Sequence, residues 1–138
     1  MGKVEKVILD TRFLLAIPYL TDGEKRKNAA FHEKVRKGQV IAVVPTVVLT
    51  ELYYILRRKH GEDTARIRVK SAAVTYHLHE LDEETALEAG TILGKTAIPL
   101  ADSIIAATYR VTKANYVLTD DVEHFHATKA RTKWVNDL

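Results

Sequence analysis

Apolar positions along this chain fall into short continuous runs separated by longer stretches with helical spacing. "KVEKVILD" ends in an apolar run and predicts a buried strand over 4–10, and "GQVIAVVP" predicts another over 38–45 that Pro45 stops. "NYVLTDD" (115–121) predicts a third, a brief extended stretch surrounds "HLHE", and "KWVND" reads as a last edge strand. Helical patterns lie between them. An amphipathic stretch follows Asp10, and after the polar break "TDGEK" a charged helix runs over 24–37. "VVLTELYYILRRK" (47–59) has helical spacing, with Thr46 as its expected cap and Gly61 as its end. "EDTARIRVKSAAVTY" follows, and "DEETALEAGTILGK" opens with acids where the helix dipole favours them. Pro99 opens the helix of "LADSIIAATYR". Nearly continuous apolar strands alternating with helices predict an α/β fold, a parallel sheet covered on both faces. Neither repeats nor a linker interrupt the pattern, so residues 1–138 are expected to form a single domain.

Composition changes this picture little. Apolar residues at 46% and charged residues at 28% suit a folded globular chain and exclude a disordered one. The absence of cysteine excludes disulfides and thiolate metal sites, and a cytoplasmic location is expected. The apolar start "VILDTRFLLAIPYL" is broken by Asp10 and Arg12, so it reads as a strand entering a helix rather than a signal peptide or membrane span. A net charge of +3 admits a nucleic-acid partner without requiring one.

The acids carry more information. Ligands of open α/β sheets bind outside the carboxyl ends of the strands. Asp10 closes the first strand, Asp120 and Asp121 follow "YVLT", Glu51 lies in the second turn of the helix leaving "IAVV", and Asp102 lies in the first turn of its helix. Taken singly, each reads as a turn former, a helix cap or a paired core acid. Taken together they lack partners: Glu51 shares its face with Val47, Val48, Tyr54 and Ile55, and Asp102 with Ile98, Ile105, Ala106 and Tyr109. Carboxylates clustered without Lys or Arg suit a cation, and an oxygen-only donor set favours Mg²⁺ or Mn²⁺. The pairs "HLH" (His77, His79) and "HFH" (His124, His126) would each put both rings on one face of a strand. No third ligand accompanies them, so they read as ordinary surface or half-buried histidines. Arg57, Arg58, Lys59, Arg66, Arg68 and Lys70 read as a solvated helix surface, and Arg12 is the candidate contact for a substrate phosphate. The apolar "FLLAIPYL" and "LYYIL" segments are explained by core packing at least as well as by a partner surface.

The fragments "VILDT", "VVLTEL", "IPLADSIIAAT" and "VLTDDVEHF", in this order and spacing, resemble the PIN-domain ribonucleases, above all the compact prokaryotic VapC toxins. The likeness spans almost the whole chain. It implies a three-layer α/β/α sandwich with a parallel sheet of four to five strands. It implies an acidic Mg²⁺ or Mn²⁺ site made of Asp10, Glu51, Asp102 and Asp121, with Asp120 as the alternative fourth acid. Thr11 and Thr119 would orient these carboxylates. The implied activity is endonucleolytic hydrolysis of RNA to 5′-phosphate and 3′-hydroxyl ends, with metal-activated water as the nucleophile. Implied partners are RNA, a cognate antitoxin protein and a second copy of the chain. Two departures stand out. Arg12 occupies a position that is usually small and polar, and Phe125 follows Asp121 by four residues where the family has three. The second leaves the choice between Asp120 and Asp121 open. The rival readings are a non-catalytic PIN-fold module that binds RNA or protein, an RNA-processing PIN nuclease outside any toxin pair, and a structure-specific DNA nuclease. The short chain disfavours the last. Aspartyl phosphatase, receiver and dinucleotide-binding folds each lack a required motif: Asp-x-Asp after the first strand, a phospho-accepting aspartate after a middle strand, and a glycine-rich turn.

Overall fold

A computed structural model of the chain describes residues 3–138. Five parallel strands form one sheet: β1 (Glu5–Leu9), β2 (Val40–Pro45), β3 (His77–His79), β4 (Tyr116–Leu118) and β5 (Thr132–Lys133), in the order β3-β2-β1-β4-β5. The connecting helices are α1 (Thr11–Ala16), α2 (Asp22–Arg36), α3 (Thr46–His60), α4 (Glu62–Thr75), α5 (Glu83–Lys95), α6 (Leu100–Val111) and α7 (Val122–Ala127). Short 3₁₀ turns follow α1 and end the chain. This is the expected three-layer α/β/α arrangement. No helix among the described residues is long and apolar enough to cross a membrane.

The apolar runs explain the sheet. Val7, Ile8 and Leu9 of β1, Val44 of β2 and Val117 and Leu118 of β4 are fully buried, as strands covered on both faces must be. From β1 the chain winds outward through β2 to β3, then crosses back to place β4 and β5 on the other side. The order therefore reverses between β1 and β4, and crevices open at the carboxyl ends of strands at such a point. Register sets what lines it. Leu9 pairs with Leu118, and the Asp10 amide donates to the Leu118 carbonyl at 3.3 Å, so Asp10 and Thr119 leave the sheet side by side.

Several local expectations change. Helix α2 begins at Asp22, ahead of the expected start, because Thr21 and Glu24 form a reciprocal capping box. Thr46 does not cap α3; it is the first helical residue, after an extended Pro45 whose fixed φ suits that place. Gly61 ends α3 as expected, at φ 90°, in the left-handed region that glycine adopts without strain. "KWVND" contributes only Lys133 to an edge strand, because the Asp137 carboxylate accepts the Trp134 amide at 2.9 Å and draws the chain into a turn. "HFH" is helical rather than extended, since the Asp121 side chain caps α7 by accepting the His124 amide at 3.3 Å.

Candidate metal centre

Four segments distant in sequence meet at the carboxyl end of the sheet. Asp10 directly follows β1 and is 3% exposed, yet its side chain does not cap α1. It accepts a hydrogen bond from the Thr119 hydroxyl at 2.7 Å instead. That same hydroxyl oxygen accepts the Asp121 amide at 3.0 Å, so one buried threonine fixes both strand-end acids. Glu51, in the second turn of α3, accepts the Thr11 hydroxyl at 2.7 Å. Asp102, in the first turn of α6, and Asp121 each bring Oδ2 to a single atom, His124 Nδ1, at 2.9 Å and 2.8 Å. Asp10, Glu51, Asp102 and Asp121 line one cleft of about 280 Å³, with Arg12 at its exposed rim. Asp120 does not line it: its carboxylate turns outward and pairs with Arg12 Nε. Of the two candidates for the fourth acid, Asp121 is therefore the one in the cleft.

The PIN domain family profile matches residues 7–130. The chain belongs to the PIN domain family. Solved structures similar to this PIN domain include DNA-bound VapBC from Salmonella typhimurium, at 17% identity and a TM-score of 0.76, covering 95% of this chain and 98% of that one. VapBC2 from Rickettsia felis, bound to a DNA fragment of its promoter, is 13% identical with a TM-score of 0.75, covering 94% and 98%. VapC20 of Mycobacterium tuberculosis, described as a Sarcin-Ricin loop cleaving toxin, is 14% identical with a TM-score of 0.68, covering 88% and 94%. No curated protein sequence matches. At such identities the solved structures establish the fold alone.

The electrostatics of this PIN domain's cleft suit a cation. Among the described residues, none of the four cleft acids pairs with Lys or Arg. Burial pushes the Asp10 carboxyl up to about 6; the charges of Asp102 and Glu51 add to this, while the Thr119 hydroxyl and a backbone hydrogen bond pull it back. Burial, followed by repulsion from Asp121, also raises Asp102. The hydrogen bond to Asp121 raises His124, which is half-exposed. Carboxylates facing one another, with hydroxyls donating to Asp10 and Glu51 and His124 to Asp102 and Asp121, form a set that a divalent ion fits. Donor atoms of Asp102, Asp121 and His124 lie within 4.8 Å of one another.

His124, which contacts two of the cleft acids, is the residue whose placement the sequence did not reveal, because the spacing of "HFH" suggests a strand. The signal was present as Asp121-x-x-His124, the spacing of a cap and the third residue of its helix. The other histidines stay apart from the acids. His77 and His126 are exposed, and His79 Nε2 meets the Thr85 hydroxyl at 2.9 Å. Two members of the basic group are engaged locally: Arg66 pairs with Glu62 at 3.1 Å, and Arg68 donates to the Leu14 carbonyl at 2.8 Å.

Proposed function

We propose that this PIN domain protein is a metal-dependent endoribonuclease and the toxin of a type II toxin–antitoxin pair. The observation that carries the reading is the convergence of Asp10, Glu51, Asp102 and Asp121 on one cleft, none of them paired with Lys or Arg among the described residues. These acids would hold Mg²⁺ or Mn²⁺. Thr119 keeps Asp10 and the Asp121 backbone in place and Thr11 orients Glu51, so the donors are set before an ion arrives. A bound ion supplies an activated water and neutralises charge on the scissile phosphate. Water oxygen would bond to phosphorus as the bond to the 3′-oxygen breaks, water giving up a proton and the 3′-oxygen taking one from solvent, so that the products carry a 5′-phosphate and a 3′-hydroxyl. No protein nucleophile is needed. Arg12 at the rim would exchange Asp120 for a substrate phosphate. Unpaired RNA is the preferred substrate, because an open cleft can follow a single strand.

The toxin assignment draws on the company of similar folds. Two of them are VapBC complexes and a third is a toxin that cleaves the Sarcin-Ricin loop. By analogy this chain would act in the cytoplasm, pair with an antitoxin protein and form a homodimer. A non-catalytic module is disfavoured, because all four acids are retained and Arg12 pairs at the rim rather than crowding them.

Cleavage of a labelled single-stranded RNA with Mn²⁺ or Mg²⁺ tests the proposal, using the wild type, Asp102→Asn and the wild type with EDTA. Cleavage to 5′-phosphate ends by the first sample alone supports it. Activity that survives Asp102→Asn, or an absence of both cleavage and metal binding in the wild type, overturns it.

A further inference from the structure

Resting on that metal-site reading, we infer that His124 is itself a ligand of the bound ion, and that its imidazole biases the site from Mg²⁺ toward first-row transition ions such as Mn²⁺. The imidazole is already inside the donor set. Its Nδ1 lies 2.9 Å from Asp102 Oδ2 and 2.8 Å from Asp121 Oδ2, and one donor atom from each of the three residues lies within 4.8 Å of the others. Adjacent ligands of an octahedral ion with bonds of about 2.1 Å stand roughly 3 Å apart, so the two observed spacings match neighbouring corners of such a shell. The ring is also held there. Asp121 accepts the His124 backbone amide as the cap of α7, and the side-chain contact closes over the same carboxylate.

Among the described residues Nε2 has no protein hydrogen-bond partner, so the ring is free to carry its hydrogen on Nε2 and present the Nδ1 lone pair to the ion. This chemistry separates the candidate ions. Mg²⁺ prefers an all-oxygen shell and keeps its waters, whereas imidazole nitrogen suits transition ions. Four carboxylates alone would leave the choice to availability. One nitrogen among them makes it a property of the site. The competing role is that of a built-in counter-ion, with the imidazolium occupying the ion's place between the two aspartates. A ligand strengthens binding, while an occupant weakens it.

Calorimetric titration of metal-free wild type, His124→Gln and Asp102→Asn with Mn²⁺ and Mg²⁺ separately distinguishes the two. Pulsed electron paramagnetic resonance of the Mn²⁺-loaded wild type adds a readout independent of any variant. The expected results are a coupling from a directly bound imidazole nitrogen in the wild type and its loss in His124→Gln. Mn²⁺ binding should weaken at least ~10-fold in that variant, and Mg²⁺ binding by less. The cap on α7 uses the His124 backbone, so the substitution leaves it intact. Mn²⁺ bound without a nitrogen coupling, or bound as tightly or more tightly by His124→Gln, overturns the inference while leaving the acidic site standing. Failure of the wild type to bind either ion, or unchanged binding by Asp102→Asn, removes the acidic-site reading and this inference with it.

Discussion

Two polar clusters inside this fold are built on opposite terms. Between α2 and the end of α4, His32 sits among aromatic rings, stacked on Phe13 at 6.3 Å and edge-on to Phe31 at 5.4 Å. Its Nδ1 meets the Asn28 carbonyl at 3.0 Å and its Nε2 the Tyr76 hydroxyl at 2.6 Å. With the hydrogen on Nδ1, the ring donates to the Asn28 carbonyl and accepts from the Tyr76 hydroxyl. At the carboxyl end of the sheet, acceptors face acceptors. Asp10, Glu51, Asp102 and Asp121 have two hydroxyls, the His124 amide and one imidazole as donors among them. In the first cluster both ring nitrogens of His32 find neutral partners within the fold. On the proposed reading an outside cation completes the second, and burial makes the Asp10 carboxylate unfavourable in the metal-free protein.

Substitutions should separate the clusters. The largest effect is expected from Asp10→Asn, with opposite signs for activity and stability. Loss of a carboxylate from the proposed ion site should lower RNA cleavage by at least ~100-fold. The metal-free fold should meanwhile gain up to about 3 kcal/mol at pH 7. The sign follows from linkage. Asp10 rises from 3.8 to about 6 on folding, so the native state binds more protons than the unfolded state between those values. Wild-type stability in EDTA should therefore fall as pH climbs through that window and then stay low. Relative to that decline Asp10→Asn should hold its stability, and urea titrations at pH 4 and pH 7 would show it. Equal pH profiles for the two proteins would mean that the cleft does not strain Asp10.

Thr119→Val comes next. It removes the hydroxyl that donates to Asp10 and accepts the Asp121 amide, and Mn²⁺ affinity measured by calorimetry should drop ~10- to 100-fold. The smallest effect belongs to the cluster around His32. Tyr76→Phe leaves His32 Nε2 without its donor and should cost about 1–2 kcal/mol in chemical denaturation, with metal affinity and cleavage unchanged. A change in metal affinity there would show that the clusters are coupled.

How much of this was legible in the amino-acid order depends on range. The apolar runs of β1, β2 and β4 were readable because burial on both faces demands unbroken aliphatic side chains, and their alternation with helices implied a parallel sheet. The convergence of Asp10, Glu51, Asp102 and Asp121 was readable because ligands of such sheets gather at one end of the strands. Finer choices were not. Which of Asp120 and Asp121 lines the cleft follows from two contacts, the cap that Asp121 makes on α7 and the pairing of Asp120 with Arg12. Spacing alone cannot rank such contacts. His124 was misjudged because its period-2 partner His126 suggests a strand, while a single capping bond makes the segment a helix and turns only His124 inward.

The contact between Asp10 and Thr119 spans 109 positions of sequence and exists because Leu9 and Leu118 pair in register. Periodicity and residue chemistry are local, so the chain's own order determined which elements form and which acids lie at their ends. Distances between those acids, their desolvation and the atom they share depend on register and caps. Those are decided by packing over the whole domain, and only the tertiary structure contains them.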